Sequence, residues 1–326
     1  MQKVDALIVG GGPCGLAAAI ELQAIGLQPV VIEKGNIVNS IYNYPTHQTF
    51  FSTSEKLAIS DVPFIVEERK PRRNQALVYY REVVRAKKID IHRFEKVEKV
   101  EKNGAIFTVT TSKEQYETPY VIIATGYYDH PNYMGIEGEQ LPKVYHYFKE
   151  GHPFFDTNVL VIGGKNSAID AALELNKAGA YVTVVYRGSD YSPSIKPWVL
   201  PEFEGLVRSG EITMHFESEV EAIFEDKVVI RKAGQQLHIA NDFVFAMTGY
   251  HPDHDFIRAM GVNIDETTGR PFFNEETMET NVPNLFIAGV IAAGNNANEI
   301  FIENGRFHGG MIAQAIQGKF KVPRRP

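Results

Sequence analysis

The chain has 326 residues, 44% of them apolar, and sets 33 basic against 40 acidic side chains for a net charge of −7. That length supplies two cores of ordinary size, and the acidic balance gives no general attraction to nucleic acid or to an anionic membrane. A single cysteine excludes internal disulfides, and the first apolar stretch breaks at Gly10 before a signal peptide or a membrane span can form. The expectation is a cytoplasmic protein with small-molecule partners, and a homo-oligomer stays open.

The run Ala6-Leu7-Ile8-Val9 reads as a buried strand, Gly10-Gly11-Gly12-Pro13-Cys14-Gly15 as a turn, and Leu16 to Ile25 as an alanine-rich helix. A second strand, Val30-Val31-Ile32, ends on Glu33. Gly10 makes the tight turn, Gly12 admits a pyrophosphate against bare backbone, and Gly15 lets helix and strand pack closely. The helix N-terminus faces the diphosphate. Glu33, eighteen residues past Gly15, can accept hydrogen bonds from a ribose 2′-hydroxyl and would repel a 2′-phosphate. A glycine fingerprint alone is weak, but here strand, helix and acid accompany it.

Asn39 to Gln48 is polar and aromatic without clear periodicity and reads as a functional loop. Asn74 to Lys87 places Leu77, Tyr80, Val83 and Val84 at helical spacing, with Asn74 able to cap it. The basic group Arg69, Lys70, Arg72 and Arg73 before it reads as a solvated face. Short alternating segments from Ile89 to Tyr120 suggest an antiparallel meander. The strand Tyr120 to Ile123 then runs into Ala124-Thr125-Gly126, a backbone turn that can approach a nucleotide, and a linker follows over 129–149.

The opening theme then repeats. Val159-Leu160-Val161-Ile162 is a strand, Gly163-Gly164-Lys165-Asn166-Ser167-Ala168 a turn, Ile169 to Ala178 a helix, and Tyr181 to Tyr186 the next strand. Lys165 stands where a second glycine belongs, so the backbone approaches a pyrophosphate less closely and an ammonium can meet the phosphates instead. The strand leads to Arg187, whose guanidinium suits a 2′-phosphate and so points to NADPH. Lys196 and Arg208 are weaker candidates for the same group. Short strands follow, near Ile212 to Phe216, Val220 to Phe224 and Lys227 to Arg231, before Asp242 to Gly249 closes this fold. His251 and His254 stand three apart in a loop with no third ligand nearby, which argues against a metal site.

Asn284 to Gly289 is a last apolar strand, and Asn298 to Gln317 reads as mostly helical before a basic tail over Lys319 to Arg325. The first fold lacks strands without this piece. The expected architecture is therefore α/β, two Rossmann-like dinucleotide-binding domains with the second inserted into the first: 1–128 plus 250–326, and 150–249.

Two such folds, Ala-Thr-Gly turns and a returning strand and helix resemble the two-dinucleotide-binding flavoproteins of the thioredoxin reductase type. Within that superfamily the chain is similar to the bacillithiol disulfide reductases (YpdA family), through the turns at Gly10 to Gly15 and Gly163 to Ala168 and through Gly294-Asn295-Asn296-Ala297-Asn298-Glu299. The resemblance implies FAD on Gly10, Gly12, Pro13, Gly15, Glu33, Thr125, Gly126 and Gly289, and NADPH on Gly163, Lys165, Asn166, Ser167 and Arg187. A helix starting among Asn295, Asn296 and Asn298 would aim its dipole at the flavin pyrimidine. Superfamily members commonly carry an acid after the last Ala-Gly, where this chain has Val290.

The sequence departs from thioredoxin reductase in having no CxxC. Cys14 reads blandly as a small residue inside the fingerprint. The resemblance implies instead a thiol that attacks a low-molecular-weight disulfide such as oxidised bacillithiol, with electrons from NADPH through FAD. The helix N-terminus favours a thiolate by roughly 0.3–1 kcal/mol, and a bound diphosphate opposes it. An NADPH reductase passing electrons to ferredoxin or flavodoxin, or a redox sensor binding both nucleotides, are the alternatives.

Overall fold

The computed structural model describes residues 1–296 and 298–321. The chain divides into two units, the first formed by residues 1–130 with the described residues from 250 onward, the second by residues 131–249. The segment 131–149, read from sequence as linker, belongs to the second unit. Its strand Val144–Tyr145 pairs with the strand Phe243–Ala246, and the buried Lys143 ammonium donates to the carbonyls of Glu225 and Asn241.

The first unit is built on a five-stranded parallel sheet, in the order Leu285–Ile287, Val121–Ile123, Ala6–Val9, Pro29–Glu33, Asp90–Arg93. All four residues of Ala6–Val9 are buried, which is why the strand reads as a continuous apolar run. Full burial of such side chains stabilises by about 1.5–3 kcal/mol each. The late strand returns beside Val121–Ile123 with Phe286 opposite Ile122, so the first domain is discontinuous and the second is inserted within it. A four-stranded sheet of Gln2–Lys3, Gln115–Thr118, Ile106–Thr111 and Val97–Asn103 forms the meander.

The helix expected from Asn74 runs over Arg73–Ala86 and buries Ala76, Tyr79, Tyr80, Val83 and Val84. Its cap is Arg72, whose backbone N–H is accepted by Gln75 at 2.7 Å. Asn74 is spent on the guanidinium of Arg73, which also donates to the Tyr42 carbonyl. Arg73 is thus buried, unlike the solvated face read from sequence.

The C-terminal segment is mostly helical, as expected, and differs in where its helices begin. Val290–Ala293 is one turn of 3-10 helix, a four-residue helix spans Ile302–Gly305, and the long helix is His308–Lys321. Asn296, ahead of the four-residue helix, accepts from the Asn298 N–H at 3.2 Å, whereas Asn304 caps that helix by accepting from the Phe301 N–H at 2.7 Å. Side-chain bonding such as that of Asn296 competes with helix, so no helix begins among Asn295, Asn296 and Asn298. Ala297 and the tail beyond Lys321 lie outside the described residues.

The second unit repeats the parallel sheet, in the order Ile212–His215, Tyr181–Val185, Asn158–Ile162, Phe243–Ala246, Val144–Tyr145. A three-stranded antiparallel sheet, Ser218–Ile223, Lys227–Lys232 and Gln235–Ala240, accompanies it. The helix Leu200–Ser209, which the sequence reading passed over, is stopped by left-handed Gly210. Its amphipathic pattern is carried by a few residues only, with Phe203 buried.

Candidate functional site

At the first turn the three fingerprint glycines differ in what surrounds them. Gly10 has φ +110°, and a Cβ there would lie 2.5 Å from the Ala124 carbonyl oxygen. At Gly15 it would lie 2.0 Å from the Gly10 carbonyl oxygen. Gly12 faces open space, with nothing within 4 Å of where a Cβ would stand. The turn is therefore closed on the protein side and open on the outside, where the first helix, Pro13–Ala24, presents its N-terminus. Pro13 stands at the start of that helix, where a missing N–H costs nothing.

Glu33 ends its strand buried, with one carboxylate oxygen accepting from the Gly11 N–H and the other from the Gly35 N–H, both at 2.7 Å. Burial raises its pKa, and the two N–H groups oppose that. Each oxygen keeps a lone pair for a further donor. Across the sheet, Thr125 follows the strand Val121–Ile123, and its buried hydroxyl has no hydrogen-bond partner among the described residues. Gly126 turns the chain at φ +71° with no atom near its missing Cβ. Gly289, at φ +81°, donates its N–H to Nδ1 of His308 at 3.1 Å.

Cys14 is half-buried near the start of the first helix. A Cβ on Gly289 or on Gly305 would lie 3.0 Å from its sulfur. Burial first, and then the Glu303 carboxylate, push the thiol up to about 12. Neither burial nor a carboxylate from the far end of the chain enters the balance between helix and diphosphate drawn from sequence. Tyr44 and Tyr80 stand in the same cluster, both with phenols raised by burial.

Ser52, Glu303, Gly305 and His308 were invisible to motif reading. Ser52 and Glu303 are joined by a hydrogen bond across 251 positions of sequence. One signal could have found the region: Gly305 and Gly309 are four apart, and a Cβ on Gly309 would lie 2.6 Å from the Ala18 Cα. Small residues at that spacing opposite an alanine-rich helix let two backbones meet.

In the second unit, Gly163 has φ +135° and a Cβ there would lie 2.6 Å from the Met247 carbonyl oxygen, which repeats the closure seen at Gly10. Gly164 is covered by the ring of Tyr186, 2.3 Å from its missing Cβ. Lys165 caps the helix Asn166–Lys177 with its backbone. The ammonium of Lys165 and the guanidinium of Arg187 are both exposed and have no ionic partner among the described residues. Ser167 is exposed beside them. Asn166 is otherwise engaged: its amide donates to the Ser194 carbonyl at 2.8 Å and accepts from the Lys196 N–H at 2.9 Å. It clasps the segment that carries Lys196.

His251 and His254 flank Asp253, which caps the helix His254–Ala259 by accepting from the Phe256 N–H at 3.0 Å. No helix among the described residues is long and apolar enough to cross a membrane.

The model of the pyridine nucleotide-disulphide oxidoreductase family matches residues 7–289. Over 318 residues, 97% of this chain and 98% of the other, the sequence is 70% identical to "Bacilliredoxin reductase Bdr" of Bacillus subtilis. The solved structure of "Bacillithiol Disulfide Reductase Bdr (YpdA)" from Bacillus cereus is 66% identical with a TM-score of 0.97, covering 98% of this chain and 100% of that one. Its counterpart from Staphylococcus aureus is 60% identical with a TM-score of 0.95, covering 98% and 99%. A chain with two nucleotide-binding folds, matched along nearly its whole length, belongs to the pyridine nucleotide-disulphide oxidoreductase family and is an oxidoreductase.

Proposed function

We propose that the chain is an NADPH-dependent FAD protein that reduces oxidised bacillithiol by way of Cys14. The observation that carries this reading is the contrast between its two folds. The first ends on a buried carboxylate, Glu33, and the second is flanked by two exposed cations, Lys165 and Arg187, that are unpaired among the described residues. A carboxylate accepts ribose hydroxyls and repels a 2′-phosphate, whereas a guanidinium binds one.

The residues of the first fold fit FAD. Gly12 leaves room for a diphosphate that a side chain would fill, and the N-terminus of the helix Pro13–Ala24 favours its charge. Thr125 brings a buried hydroxyl that lacks a partner among the described residues. Gly10, Gly15, Gly126 and Gly289 shape the backbone around that space, and Glu33 offers its remaining lone pairs to the ribose. The chemistry that flavin supplies when bound is two-electron transfer between nicotinamide and disulfide. On the second fold, Lys165 and Arg187 hold the phosphates, Ser167 lies beside them at the helix start, and Gly163 shapes the turn. Asn166 acts through the Ser194–Lys196 segment that it clasps. Cys14 is the only thiol available to form a mixed disulfide.

Anaerobic NADPH oxidation by FAD-loaded protein tests this, with and without oxidised bacillithiol. In Cys14→Ala, flavin reduction by NADPH is expected to persist while disulfide-dependent turnover falls to background. Full turnover in that variant would sink the covalent route. The name of the Bacillus subtilis relative favours a second reading, in which the disulfide belongs to a bacilliredoxin. Turnover with an oxidised bacilliredoxin, and none with oxidised bacillithiol alone, selects it.

A further inference from the structure

In each unit the glycine that opens the fingerprint turn donates its N–H to the strand beside it, Gly10 to the Ile32 carbonyl at 2.9 Å and Gly163 to the Val185 carbonyl at 3.0 Å. The two sheets share that register, with Val9 opposite Ile32 in one and Ile162 opposite Val185 in the other. The next residue along the strand is Glu33 in the first unit and Tyr186 in the second. Where one fold sets a buried carboxylate beside its turn, the other sets an aromatic ring. Arg187 follows that ring directly.

Two glycines receive the ring. A Cβ on Gly164 would lie 2.3 Å from the Tyr186 Cγ and 2.5 Å from both Cδ atoms, and one on Gly188 would lie 2.4 Å from Cε1 and 2.8 Å from Cζ. Neither glycine has a positive φ, so backbone conformation demands neither of them. What each leaves out is a side chain that would collide with the ring. The Tyr186 hydroxyl makes no hydrogen bond among the described residues, so the ring acts by its shape. Backbone bonds complete the clamp: the Tyr186 N–H donates to the His215 carbonyl at 2.9 Å, its carbonyl accepts from the Ser218 N–H at 3.1 Å, and the Gly188 carbonyl accepts from the Glu217 N–H at 2.9 Å. Both neighbours of Arg187 are thus tied to the chain that leaves the strand Ile212–His215, and the ring ties them to the turn that carries Lys165.

We propose that Tyr186 is a positioning residue that sets nucleotide preference: its ring, seated on Gly164 and Gly188, fixes the backbone of Arg187 against the fingerprint turn, so that one nucleotide meets Arg187 with its 2′-phosphate and the turn with its pyrophosphate. The proposal rests on the reading that this unit binds NADPH. A guanidinium grips a phosphate through two parallel N–H groups, which requires both distance and plane. Holding the root of that side chain in place beforehand reduces the ordering cost of binding. NADH has no 2′-phosphate and gains nothing from where Arg187 stands. Loss of the ring therefore weakens one nucleotide and spares the other.

The test is anaerobic flavin reduction in the FAD-loaded protein at rising concentrations of NADPH and of NADH, which yields an apparent Kd for each. Tyr186→Ala is expected to raise the apparent Kd for NADPH about tenfold and to move that for NADH by less than about twofold, while Tyr186→Phe matches wild type. General loosening of the fold weakens both nucleotides alike, so equal losses overturn the proposal. A Tyr186→Phe that behaves like Tyr186→Ala overturns it too. Should Tyr186→Ala fail to fold, Gly188→Ala displaces the ring with a methyl group instead, and the same selective loss is expected; a wild-type ratio of the two constants in that variant overturns the proposal. Arg187→Ala separates the proposal from the reading beneath it. If that variant keeps the wild-type ratio, the 2′-phosphate is not held at Arg187 and both fall. If it loses the ratio while Tyr186→Ala keeps it, the proposal alone falls.

Discussion

Glu33 ends the strand Pro29–Glu33 and Arg187 stands two residues past the corresponding strand Tyr181–Val185, so the two lie close to equivalent places in two copies of one fold, and their environments are opposite. Glu33 is buried, and two backbone N–H groups hold it at 2.7 Å, so its orientation is settled before any ligand arrives. Arg187 is exposed and unpaired among the described residues, so its charge is free for a phosphate. A charge-assisted hydrogen bond contributes about 1.5–3 kcal/mol. Arg187→Ala is therefore expected to raise the KM for NADPH about 10- to 100-fold and leave the KM for NADH nearly unchanged, measured as steady-state flavin-dependent turnover with each nucleotide. Equal losses for both nucleotides would remove the 2′-phosphate from its role.

At the scale of the element, one turn sets two different demands on glycine. Gly15 is needed by the protein, because its missing Cβ would sit 2.0 Å from the Gly10 carbonyl oxygen, and backbone cannot yield there. Gly12 is not needed by the protein, because its φ of −75° is ordinary and nothing lies within 4 Å. Gly12→Ala is thus expected to leave the thermal stability of the FAD-free chain within about 0.5 kcal/mol while weakening FAD binding. Gly15→Ala should destabilise the FAD-free chain itself, by about 1–3 kcal/mol or more. Melting curves of the FAD-free variants and FAD titrations check both, and a destabilised Gly12→Ala would show that the turn serves packing alone.

At the scale of the molecule, the first unit closes its sheet only when Leu285–Ile287 returns to Val121–Ile123. One cluster of buried side chains fills it, from Ala6 to Ile316. The second unit has its own clusters, centred on Val161 and Phe245 and on Leu160 and Val244. A ligand that binds only the folded first unit stabilises it by mass action, about 2.7 kcal/mol at a hundredfold excess over Kd. Calorimetry is expected to show FAD raising the transition of the first unit, with proteolysis protection spreading to 285–316 as well as to 1–130. Protection confined to the N-terminal segment would contradict a discontinuous domain.

The sequence by itself determined the two parallel sheets, the closure of each fingerprint turn and the insertion of one domain in the other. These depend on local patterns, such as the apolar run Ala6 to Val9, the glycines that precede each helix and the need of the first fold for another strand. The stretch from Asn298 to Gln317 is mostly helical as read, but its helices begin later than the asparagines suggested, because Asn296 holds the Asn298 N–H in a turn that periodicity does not register. The acid–base surroundings of Cys14 were decided only in three dimensions. Ser52 and Glu303 are 251 residues apart in sequence and meet through one hydrogen bond. Desolvation depends on everything packed around the sulfur, so no neighbour of Cys14 along the chain could have announced that its proton would be held so tightly.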